Sequence, residues 1–149
     1  MNPVLLNRAH AAFVGGQYAA ALRDADALLA ADPRDIQALS IKANAAMRLD
    51  DADALLDALQ RLHALRPDDA AIRRNLATTL NRRGNRALEL FRYADAEAHW
   101  RSALRSHPQH REARFNLAGL LRRSQRWAEA RGLYESLQAE QHEPEVALR

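Results

Sequence analysis

The 149-residue sequence predicts an all-α fold built from stacked antiparallel helix pairs. Three observations predict it. Apolar residues make up 48% of the chain, with Ala and Leu carrying most of that share and strand-favouring Val, Ile, Thr and aromatics scarce. Prolines at Pro33, Pro67 and Pro108 stand 34 and 41 residues apart. The same irregular step, 34 then 41 then 34, recurs in Tyr18, Ala52, Tyr93, Trp127 and in Ala21, Leu55, Ala96, Ala130. Three series sharing one irregularity imply a duplicated two-helix unit with a single seven-residue insertion.

The expected helices are 3-14, 18-31, 35-48, 52-65, 69-91, 93-106, 111-123 and 127-139. The second carries Ala21, Leu22, Ala25, Leu28 and Leu29 at spacings of three and four, which makes one apolar face. Every second helix runs into a connector, "ADPRD", "RPDD" or "HPQH", whose proline cannot continue it. Asp35 or Asp68 is placed to cap the helix that follows. The insertion falls in "AIRRNLATTLNRRGNRALEL", which has no Gly or Pro before Gly84 and fits the repeat in two registers seven residues apart. Seven residues nearly complete two turns, so one continuous helix from 69 to 91 keeps its inward face and is longer by about 10 Å. In "GNRALELFRYADAEAHW" small Gly84 and Ala96 allow close helix approach, while Tyr93 and Trp100 are expected to fill the space between repeats; Trp127 has the same packing role one repeat later. At the end, "EPEVALR" begins another helix over 144–149, and Leu133, Leu137, Val146 and Leu148 are expected to lack cover.

These elements resemble the tetratricopeptide repeat, a 34-residue helix-turn-helix pattern, over essentially the whole chain. The match is closest through Leu80, Gly84, Tyr93, Ala96, Trp100, Ala103, Leu104 and Pro108, followed by Leu117, Ala118, Trp127, Ala130 and Tyr134. The resemblance implies an α-solenoid, a right-handed superhelix forming a single domain over 1-149. Its repeats are 2-34, 35-69, 70-110 and 111-143.

Residues 1–72 carry a formal charge of −3 and residues 73–149 one of +6, giving +3 overall. The basic residues, all Arg except Lys42, alternate with Asp and Glu and form no long cluster, which disfavours nucleic acid as a partner. The Arg and Ala bias suggests a GC-rich bacterial source. No apolar run reaches the roughly 20 residues of a membrane span, and the first residues do not read as a secretory leader; the expected location is cytoplasmic. With no cysteine, disulfides, thiol catalysis and cysteine metal sites are excluded. No phosphate loop, nucleophile elbow or paired metal-ligand motif appears. His107 and His110 of "HPQH", with His99, read as connector residues more than as a metal site. No catalysis, cofactor or metal is expected.

The resemblance places recognition on the concave face, lined by the first helix of each repeat. In that register Asn7, Asn75 and Asn116 occupy one inward position, and Asn44 and Asn85 another one turn later. A carboxamide both donates and accepts, so it bonds a peptide backbone without reading its sequence. Arg74, Arg82, Arg122 and Arg123 are expected nearby and favour an acidic partner. Asn81 stands where chaperone-binding relatives carry a basic residue, which argues against that mode. The expected function is a non-catalytic protein-interaction scaffold binding a protein or peptide segment in the groove. The alternative is an N-terminal substrate-recruiting module of a larger bacterial enzyme of sulfotransferase, glycosyltransferase, hydroxylase or methyltransferase type. A weak homodimer through the uncovered last helix is a further expectation.

Overall fold

Local signals set the helix ends in the computed structural model, which describes residues 2–142. Among these there are eight α-helices and no strand: α1 Pro3–Val14, α2 Tyr18–Ala31, α3 Ile36–Leu49, α4 Ala52–Leu65, α5 Ala70–Glu89, α6 Tyr93–Ser106, α7 Arg111–Arg123 and α8 Trp127–His142. Asp35 and Asp51 cap α3 and α4, each accepting a backbone N–H at 3.1 Å. At α5 the cap is Asp69 and not Asp68: Asp69 Oδ1 accepts from the N–H groups of Ala71 and Ile72 at 3.0 and 3.1 Å. The caps lie outside the helices, so α3 and α5 begin one residue later than expected. The last helix is longer than expected and runs to His142.

Each first helix ends in the same turn. Gly16, Asp50, Phe91 and Gln125 adopt left-handed φ values of 77°, 55°, 58° and 63°. One residue further on, the N–H groups of Gln17, Asp51, Arg92 and Arg126 return to the carbonyls of Ala12, Ala46, Ala87 and Leu121 at 2.8–2.9 Å. This is the Schellman closure of a helix C-terminus. Its positions step by 34, 41 and 34, so the backbone carries the irregularity seen in the sequence. The insertion is absorbed by α5, a continuous helix of 20 residues that stops at Glu89 because Leu90 and Phe91 form the turn.

Residues up to Thr79 form one compact unit and those from Leu80 a second, the division falling inside α5. In the first unit α1 packs on α2, α2 on α3 and α3 on α4, while α1 also meets α3. Its core includes Ala21, Ala25, Leu39 and Leu59. Lys42, the single lysine, bridges helices: its Nζ lies 3.0 Å from both Asp26 of α2 and Asp57 of α4. Burial pushes its pKa down, but the hydrogen bonds to the two carboxylates outweigh that and hold it above its ordinary value.

In the second unit α6 packs on α7 and α7 on α8 around Ala96, Trp100, Leu117 and Leu121. Trp100 is 1% exposed and lies against Gly84, where an added Cβ would stand 2.4 Å from the indole nitrogen. Here the expected large-against-small packing is present. Two of its members differ: Tyr93 and Trp127 open α6 and α8 with exposures of 49% and 60%, because first-turn residues at these helix starts project beyond the core. The expected uncovered face on α8 also needs correction, since Leu137 is buried and Leu133 half-buried against the unit's own core. Val146, Leu148 and the expected helix over 144–149 lie outside the described residues. Among the described residues no helix is long and apolar enough to cross a membrane.

Candidate functional site

First helices of successive repeats leave furrows between them. In the first unit, α1 and α3 line a cavity of about 450 Å³ walled by Leu6, Phe13, Ile36 and Ile41, with Asn7, His10, Gln37, Ser40 and Asn44 as its polar residues. Among the described residues no Arg, Lys, Asp or Glu side chain lines it. Asn7 and Asn44, expected at two different register positions, are both exposed and line this one furrow. Ile41, which interrupts the asparagine series, forms part of the wall instead.

In the second unit a cavity of about 590 Å³ is lined by Asn85, Phe115, Asn116 and Tyr134, with Gln138 and Gln141 from α8. Asn85 and Asn116 are half-buried and belong to a polar network. Trp100 Nε1 donates to Asn85 Oδ1 at 3.2 Å and to the Asn81 carbonyl at 3.3 Å. Asn116 Nδ2 donates to Asn85 Oδ1 at 2.9 Å and Asn81 Oδ1 at 3.0 Å, and Asn81 Nδ2 donates to Glu112 Oε2 at 3.3 Å. Two members fix the direction of the rest. An indole is donor only, so Asn85 turns its oxygen inward; a carboxylate is acceptor only, so Asn81 turns its nitrogen to Glu112. Asn116 therefore spends its N–H groups on its neighbours, and among the described residues no hydrogen bond is made by its Oδ1 or by the Asn85 Nδ2. The direction of these amides is set by the core.

A second cavity, about 230 Å³, adjoins the first and shares Phe115, Asn116 and Tyr134; Arg122 and Arg123 line its far side. Arg74, Asn75 and Arg82 are exposed on α5 but line none of these cavities. Sequence reasoning missed Phe115, a 61% exposed aromatic beside Asn116, and it named Asn81 without its burial or its place in the amide network. The signal available was the pair Asn81 and Asn85, one helical turn apart and facing a single Asn one repeat on.

The start of α7 is held firmly. His110 Nδ1 accepts the Ala113 N–H at 3.2 Å as the helix cap, with the His107 ring edge-on at 6.2 Å. Burial pushes His110 below its ordinary pKa; Glu112 opposes this, while His107 and Arg114 add to it. Buried Arg114 donates to Glu140 of α8 at 2.6 Å and to the Gln109 carbonyl at 2.9 Å. Among the described residues no three His, Asp or Glu side chains converge as a metal site would require.

Helix pairs whose first members line amide-bearing furrows define an α-helical repeat protein. Residues 81–143 match the family model described as tetratricopeptide repeat. Solved structures show the same fold. MamA AMB-1 aligns over 96% of this chain and 74% of its own with a TM-score of 0.60 and 16% identity. A MamA mutant aligns over 91% and 75% with a TM-score of 0.55 and 16% identity. Another MamA crystal structure gives 92%, 73%, 0.54 and 15%. A comparison with curated proteins gives no match.

Proposed function

We propose that this chain is a non-catalytic interaction scaffold that binds extended protein segments along its first helices. The observation that carries the reading is the pairing of first-helix amides at open furrows in both units, Asn7 with Asn44 and Asn85 with Asn116. In the second unit Asn85 offers a donor and Asn116 an acceptor, the two complements that one peptide group presents. The tetratricopeptide fold supports the same reading, because it supplies a rigid frame and leaves the ligand to a few furrow residues.

The test is affinity selection from a proteome-derived peptide library on the wild type, on Asn7→Ala/Asn44→Ala and on Asn116→Ala, each first checked for a cooperative thermal melt. Peptides held by the wild type and released by one furrow variant are the expected outcome. Equal recovery on all three would move recognition off these furrows.

A further inference from the structure

The two adjoining cavities of the second unit form one furrow along α7, and its chemistry changes from end to end. Where α7 begins, Arg111 and Glu112 stand side by side and their charges cancel. Where it ends, Arg122 and Arg123 are both exposed, and among the described residues neither guanidinium reaches a carboxylate. Their neighbours differ: Arg101 and Arg126 are engaged with Glu97, and Arg114 with Glu140. Glu97 and Glu140 are thus engaged by other arginines, and two cations line this end of the furrow.

Between the ends stands Phe115. The residue is 61% exposed and its ring meets Tyr134 edge-on, with centroids 6.3 Å apart and planes at 80°. A ring supported along one edge leaves a face for another apolar side chain. Asn85, Gln138 and Gln141 add amides suited to a peptide backbone. Phe115 and Arg122 are seven residues apart on one helix, a rise of about 10 Å, which an extended chain covers in about three residues.

We infer that this furrow selects an extended peptide segment with a bulky apolar side chain against Phe115 and, about three residues along it, one or two carboxylates paired with Arg122 and Arg123. The inference rests on the proposed function and narrows it. Arginine favours this pairing because its planar fork bonds a carboxylate through two parallel N–H groups. At the Arg111 and Glu112 end no charge preference arises.

A random peptide library displayed on phage and selected against the full chain tests this, with enriched sequences resynthesised for fluorescence-anisotropy titration. Expected are sequences with Phe, Leu, Ile or Met about three residues from Asp or Glu. Their binding should weaken about tenfold or more with Arg122→Ala/Arg123→Ala, and likewise when the peptide acid is replaced by its amide, a loss that higher salt reproduces. Phe115, Arg122 and Arg123 are exposed, and thermal melts check that these variants and the half-buried Asn116→Ala fold. Enriched peptides without a carboxylate, or binding indifferent to Phe115→Ala and to the arginine variant, would overturn the inference while leaving the furrow reading intact if Asn116→Ala still weakens them. Enrichment of nothing would remove both. A concentration-dependent mass in light scattering that Phe115→Ala abolishes would assign the furrow to a second copy of the chain and overturn the peptide assignment.

Discussion

Gly84 and Gly132 occupy helix interiors with opposite surroundings. At Gly84 a Cβ would meet the Trp100 ring at 2.4–2.8 Å, and that ring is fully buried and tied by its N–H to Asn81 and Asn85. At Gly132 nothing lies within 4 Å of the same added carbon. Ala gains about 1 kcal/mol over Gly in helix propensity, whereas overpacking a locked core costs about 1–3 kcal/mol. Gly84→Ala is therefore expected to lower the unfolding free energy read from urea titration and Gly132→Ala to raise it, the latter by up to about 1 kcal/mol. Opposite signs from one chemical change would establish that the Gly84 requirement is steric. Equal gains would mean that Trp100 yields. Gly84 and Trp100 were legible in the sequence because their spacing matched the repeat pattern; Phe115 was not, since an exposed aromatic has no period of its own.

Helix α7 begins on a titratable cap. Neutral His110 accepts the Ala113 N–H through Nδ1; protonation removes that acceptor and places a positive charge at a helix N-terminus. Burial holds its folded pKa below the usual 6.5, so in the window below 6.5 the unfolded chain binds more protons than the folded one. Its contribution is then complete above the unfolded pKa and declines as pH falls through the folded one. His110→Asn keeps a capping acceptor without titrating. Urea unfolding between about pH 7.5 and pH 5.5 should show a steeper loss of stability on acidification in the wild type than in the variant. Matching slopes would show that the cap does not titrate in this range. The sequence marked "HPQH" as a connector, but only the folded helix shows which of its histidines accepts the hydrogen bond.

At the scale of the molecule, the boundary between the two compact units lies within α5, at Thr79 and Leu80. Repeat arrays gain stability mainly from neighbour contacts, so opening need not engage the whole chain at once. Native-state hydrogen exchange in rising denaturant is expected to resolve two cooperative openings, with α5 amides before Thr79 grouped with α1–α4 and those after Leu80 with α6–α8. One common opening free energy for all slow amides would make the chain a single cooperative body. The continuous α5 was legible because seven inserted residues preserve a helix's phase; the division inside it was not, because it depends on which neighbours each half contacts.

The sequence by itself determined the helix pairs, their 34, 41, 34 spacing and the length carried by α5, since these follow from apolar periodicity, proline stops and Asp caps, all local properties. It also named Asn7, Asn44, Asn85 and Asn116, which line the furrows, because a repeat register carries position from one helix to the next. Tertiary structure alone decided how those amides are oriented. Asn85 and Asn116 are aligned by Trp100, Asn81 and Glu112, from helices brought together only by packing, and a carboxamide has no preferred direction until such partners are in place.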